Sequence, residues 1–79
     1  MTLYHKHSTI LRFCADQSRT EGEATRHCMM LGLGRVDSAM FDLEVAGLLQ
    51  VTGTMERAKL RGITDAGRAA LSEWAEVAR

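Results

Sequence analysis

The sequence predicts a mainly helical α+β domain: three packed helices, a two-stranded ribbon and a C-terminal helix. Three observations carry that expectation. Between Arg35 and Ala46, the residues Val36, Ala39, Met40 and Leu43 recur at the three- and four-residue spacing that gathers side chains on one face of a helix. Gly47 follows, a residue suited to the left-handed conformation that stops a helix, and Leu48-Leu49 open an apolar extended run. Leu49–Thr54 and Arg57–Ile63 then flank a short loop tip at Met55-Glu56 and read as paired strands. Two strands alone are too few to stand in water, so the ribbon is expected to pack on the helices.

Taken in order, the chain opens with a helix from Leu3 to about Ala15. Leu3, His7, Ile10, Leu11 and Cys14 follow the helical spacing, with Phe13 beside the stripe, while His5, Lys6, Thr9, Arg12 and Asp16 fall largely on the other side. Gln17–Thr20 reads as a polar connection. Thr20 followed by Glu23 is a capping-box pattern, so the second helix is expected to start at Glu21 and run to about Leu31, where Gly32 ends it and Leu33 plugs the turn. Met29 and Met30 read as core and boundary residues. Gly34 is the expected N-cap of the third helix. Thr64 caps the last helix, and Asp65 in its first turn suits the helix dipole. Its apolar stripe is Ala66, Ala70, Trp74 and Ala78, with Leu71 and Val77 alongside.

Length and composition bound what such a chain can do. Its 79 residues make one domain, spanning 1–79. A chain of this size buries only roughly 60–65% of its unfolded surface, so the core is small. An apolar fraction of 46% argues against disorder. Ten basic and ten acidic residues give zero net charge, so attraction to nucleic acid has to come from how charge is arranged. Cys14 and Cys28 form no Cys-x-x-Cys pair and read as buried thiols of a reducing compartment. No stretch matches a membrane span or a signal peptide, and the expected location is the cytoplasm.

The order helix, helix, turn, helix, strand, strand, helix resembles the winged helix-turn-helix family, and three segments match its wording. Met30-Leu-Gly-Leu33 is similar to the family's Leu-Gly-Leu turn, and Leu43-Glu-Val-Ala-Gly-Leu-Leu49 to the end of its recognition helix. Ile63-Thr-Asp-Ala-Gly-Arg-Ala-Ala-Leu71 is similar to the segment leaving the wing in MarR- and PadR-like bacterial regulators. The resemblance covers roughly residues 8 to 74. His27 departs from it, standing where the family has isoleucine or leucine, and so does the third helix, where Asp37, Asp42 and Glu44 outnumber the single Arg35.

The resemblance implies a small bacterial or phage transcriptional regulator, bound to duplex DNA as a homodimer. Arg35 and Ser38 would then face the major groove, Arg35 donating to guanine and Ser38 to base or phosphate. Asp42, one turn on, would face the same groove. Arg57, Lys59 and Arg61 alternate with Ala58, Leu60 and Gly62, so on a regular strand all three charges share one side of the wing, a stripe suited to phosphates or a minor groove. Arg26 on the second helix adds a phosphate contact. The bland reading of the stripe is protection of an exposed sheet edge.

An alternative comes from the acidic third helix: a winged helix used as an adaptor or inhibitor, docking Asp37 and Asp42 on a basic protein surface without binding DNA. Trp74 either closes the core over the first helix or forms a contact with a second chain. A third reading is a domain serving oligomerisation only. His5, His7, Cys14, His27 and Cys28 lack the tight spacing of a zinc site, and no nucleophile–base set or phosphate loop is present, so no metal, cofactor or catalysis is expected.

Overall fold

A computed structural model describes residues 2–77, with the backbone alone of residues 75–77. Ala78 and the side chain of Val77, both expected on the last apolar stripe, lie outside the described residues. The order is α1 (His5–Asp16), β1 (Arg19–Thr20), α2 (Glu21–Met30), α3 (Asp37–Val45), β2 (Leu49–Met55), β3 (Ala58–Ile63) and α4 (Asp65–Val77). The fold is α+β and mainly helical, with one antiparallel sheet in the order β1-β3-β2.

That sheet corrects the expected two-stranded ribbon. Arg19-Thr20, read as connection, pairs with β3 at Arg19↔Arg61 and Thr20↔Leu60, which makes β3 the middle strand. Two residues carry no periodicity of their own; their partners sit some forty positions away, so only the fold reveals the pairing. On the other side of β3, pairing runs from Leu49↔Ile63 to Met55↔Ala58, with a bulge between Val51 and Gly53. Gly62 lies under this crossing. Ser18 and Thr52 meet above it, Thr52 Oγ1 donating to Ser18 Oγ at 2.7 Å, and a Cβ on Gly62 would strike both side chains.

The core is assembled from the predicted faces. Ile10, Leu11 and Cys14 of α1, Ala24 and Cys28 of α2, and Ala39, Met40 and Leu43 of α3 are buried with Val36, Leu48 and Leu49. His7 is buried with them, and Leu3, Phe13 and Leu33 pack at the margin. Thr20 caps α2 as expected, its Oγ1 accepting from the Glu23 N–H at 3.1 Å while Glu23 Oε1 accepts from the Thr20 N–H at 3.1 Å. Thr64 caps α4, accepting from the Gly67 N–H at 2.9 Å.

Two helix ends use the same stop. At the end of α2, Gly32 (φ +74°) lets its N–H reach Met29 O and the Leu33 N–H reach Cys28 O, at 3.1 and 2.8 Å. At the end of α3, Gly47 (φ +78°) does the same, with Leu48 N to Leu43 O at 2.9 Å. Each is the six-to-one and five-to-two pair that satisfies the last carbonyls of a helix, followed by a leucine folded back on the core.

Four expectations change. Gly34 does not cap α3: it takes φ +76° within the connection, Val36 is the N-cap, and Arg35 precedes the helix. Arg57 is not in the returning strand, because pairing closes at Met55↔Ala58 and leaves Glu56 and Arg57 as the two-residue turn. Met29 and Met30 are not core residues; they are 60% and 81% exposed, since α2 turns Ala24 and Cys28 inward instead. On α4, Ala66 is exposed and Gly67 faces in, so the inward stripe is Gly67, Ala70, Leu71 and Trp74. Gly67 is needed there, because a Cβ would collide with the Leu48 carbonyl oxygen. Arg68 adds a tie, donating to the Ala15 carbonyl at the end of α1 at 3.2 Å.

Candidate interaction surface

The phase that buries Ala39, Met40 and Leu43 fixes what α3 shows to solvent. Its outward side carries Ser38, Phe41, Asp42 and Val45, with Phe41 63% and Val45 70% exposed. The N-terminus of α1 lies beside it. Tyr4, 67% exposed, joins Thr2, His7, Phe41, Asp42, Val45 and Ala46 around one open depression. A second depression, towards the start of α3, is lined by Tyr4, Lys6, His7, Arg35, Ser38, Ala39 and Asp42. The surface is therefore an apolar centre with the Asp42 carboxylate at its edge and, towards the start of α3, Lys6 and Arg35 beside it. Phe41 and Val45 went unremarked among the candidate residues, although the same helical spacing that buries Met40 points both outward.

Positive charge near α3 comes from outside the helix, from Lys6, Arg35 and Arg61. The segment Asp37–Val45 contains no lysine or arginine. Arg35 stands before it, largely exposed, with Nε 3.6 Å from Asp37 Oδ1. Its backbone carbonyl accepts from Lys6 Nζ at 3.0 Å, which holds the connection against α1. Asp37 and Asp42 are exposed.

The basic stripe expected on the wing is broken up. Arg61 turns towards α3, where its Nε donates to Glu44 Oε1 at 2.6 Å, and its side chain is only 15% exposed. Arg57 sits in the turn and Lys59 on β3, both exposed. Arg26 lines a shallow depression with Thr20, Gly22, Glu23 and the hairpin residues Met55, Glu56 and Ala58, so it belongs with the hairpin end. Arg35 and Ser38 lie in the α3 depression instead.

His7 joins the surface to the core. Its Nδ1 accepts from the Tyr4 N–H at 3.1 Å, and the two rings are 5.8 Å apart. Burial pushes its pKa below the ordinary value of 6.5, against the pull of Asp42 and with help from Lys6. His27 plays a packing part, stacked on Phe13 at 4.1 Å, while the Arg19 guanidinium lies 4.0 Å from the same ring. That stack explains how a histidine occupies a position where an aliphatic residue was expected.

Trp74 faces α1: His5 lies 6.2 Å from its ring and the Arg12 guanidinium 5.5 Å from it. The ring thus closes the α1–α4 contact within the chain. Cys14 and Cys28 are free and buried. Burial pushes the Cys14 thiol up to about 11 and raises that of Cys28, so neither is a nucleophile near neutrality. Among the described residues, no three His, Cys, Asp or Glu side chains converge for a metal, and no helix is long and apolar enough to cross a membrane. Comparison with family models and with curated proteins finds no match to this sequence.

Proposed function

We propose that the chain is a small winged helix domain that acts as an adaptor or inhibitor, docking α3 and the start of α1 on a basic protein surface. Two helices, a glycine turn, a third helix, a hairpin and a final helix follow in the order of the resemblance, which supports it; the short strand β1 is an addition to that order. The observation that carries the docking reading is the outward side of α3. Phe41 and Val45 stand exposed beside Tyr4, edged by Asp42, on a helix with no basic side chain. Exposed aromatic anchors ringed by polar groups are what protein interfaces are built around. A major groove lined by phosphates disfavours Asp42, and Ser38 is the only hydrogen-bond donor on that side of α3. Zero net charge agrees with this choice.

The test is capture from a lysate of the cells that carry the gene, comparing the intact chain with Phe41→Ser and Asp42→Lys variants. Both side chains are exposed, so both variants keep the fold. A stoichiometric partner with a basic surface, retained by the parent and lost by both variants, supports docking. Equal retention by all three chains, or no retained protein together with a salt-sensitive gel shift of random duplex, overturns it.

One observation favours a second reading, DNA binding by a transcriptional regulator. Arg57 and Lys59 stand exposed at the hairpin end with Arg26 nearby, and Arg35 and Ser38 flank the start of α3. Phosphate contacts through the hairpin need no help from the acidic helix.

A further inference from the structure

We propose that His7 is a proton-operated latch that ties the segment before α1 to the docking face of α3. The latch rests on the docking reading and deepens it by naming how that face is regulated. His7 occupies the third position of α1, where glutamate or glutamine ordinarily reaches back to the backbone N–H of the capping residue. Here the imidazole does so, taking the Tyr4 N–H on Nδ1 at 3.1 Å. An imidazole nitrogen accepts a hydrogen bond only while it carries no proton, so the contact requires the neutral ring with its hydrogen on Nε2. The ring is 8% exposed and lines both depressions of the surface.

The groups around it fix what a proton does. The Asp42 charge, on α3 across the same depressions, favours the charged form; Lys6 on α1 opposes it. Arg35, before α3, and the Tyr4 phenol line the same depression. A proton taken from solvent at Nδ1 turns the acceptor into a donor facing another donor, and the Tyr4 N–H bond breaks. The new imidazolium is left opposite Asp42. Two features of the docking face change together: Tyr4 loses the bond to its N–H and keeps only that from the Ser8 N–H to its carbonyl (3.1 Å), and the Asp42 charge gains an intramolecular partner. Docking to a basic surface is then strongest near neutrality and weakens in acid.

The experiment is a solution NMR titration of the full chain, following the His7 ring nitrogens, amide exchange at Tyr4 and the backbone signals of Phe41, Asp42 and Val45. As the ring gains its proton, Tyr4 protection falls about fivefold, the loss expected of one helix-cap bond. The α3 signals move with the same midpoint. His7→Gln presents an amide oxygen to the Tyr4 N–H at every pH and keeps both readouts flat. Should that variant fail to fold, Asp42→Asn carries the test, because removing the carboxylate moves the His7 midpoint to lower pH. Constant Tyr4 protection through the ring titration overturns the latch, as do α3 signals with a separate midpoint or an unmoved midpoint in Asp42→Asn. None of these readouts needs a partner, so a failed latch and a failed docking assay are told apart.

Discussion

Arg61 of β3 and Glu44 of α3 are joined by a 2.6 Å hydrogen bond, with side chains only 15% and 31% exposed. The pair fastens the middle strand to the helix that presents Phe41 and Val45. Removing either charge leaves the other half-buried without its partner, which costs more than the pair itself contributes. Glu44→Gln and Arg61→Gln are each expected to destabilise the chain by roughly 1–2 kcal/mol, discounted for partial exposure. Urea denaturation of both singles and the double closes a thermodynamic cycle with a coupling of about 1 kcal/mol. Additive singles would show that the contact holds nothing in place.

The hairpin turn carries a second prediction. Glu56 (φ +49°) and Arg57 (φ +71°) both sit in the left-handed region, as the two central residues of a tight hairpin turn must. Side chains with a Cβ pay roughly 1–2 kcal/mol per residue for that conformation, which asparagine relieves in part and glycine fully. The Glu56→Asn/Arg57→Gly variant is therefore expected to gain about 1 kcal/mol, seen as a melting temperature higher by about 4–8 °C. An unchanged or lower melting temperature would mean that the two native side chains make compensating contacts.

How far the fold is legible in the sequence follows from how local each signal is. The apolar faces of α1 and α3, the Thr20–Glu23 and Thr64 caps and the Gly47 stop each need only neighbours within one or two turns, and each is where the spacing puts it. The exception is Thr9, which was expected on the outer side of α1 and is buried with Ser8, both hydroxyls donating to the His5 carbonyl. The strand at Arg19-Thr20, the inward turn of Arg61 and the choice of Gly67 over Ala66 depend on partners far along the chain. No local pattern encodes those partners. The candidate site divides the same way. Asp37, Ser38 and Asp42 fall on the outward side of α3 as the periodicity requires, whereas the alternation rule overstated the basic stripe of the hairpin, because Arg57 lies in the turn and Arg61 is taken up by Glu44. His7 was legible as an apolar-face residue; its role as acceptor for Tyr4 needed the geometry of the first turn.

The depressed His7 pKa makes stability depend on pH, with a definite sign. Burial, the main cause, favours the neutral ring in the folded chain, while the unfolded chain titrates near 6.5. Between the folded and unfolded values the unfolded state binds more protons, so stability rises with pH there. The contribution is fully present above 6.5 and is lost as pH falls from that value towards the folded one. Urea midpoints of the parent chain are expected to drop across this window. His7→Gln removes the group and should flatten that part of the profile; an identical slope in both chains would place its origin elsewhere.

A prediction on the hairpin separates the two functional readings. Each phosphate neutralised by a lysine or arginine steepens the fall of log affinity with log salt by about 0.9. With Arg61 held by Glu44, the hairpin has Arg57 and Lys59 to offer rather than three charges. If the chain binds duplex DNA, the Arg57→Gln/Lys59→Gln variant should lower the magnitude of the salt slope by roughly 1.8, and Arg61→Gln should leave it unchanged. Fluorescence anisotropy of a labelled random duplex, at several salt concentrations, measures all three slopes. A loss in Arg61→Gln equal to that of a single wing charge would mean that the Glu44 pair opens on DNA. No binding at low salt by the parent chain would remove the DNA reading.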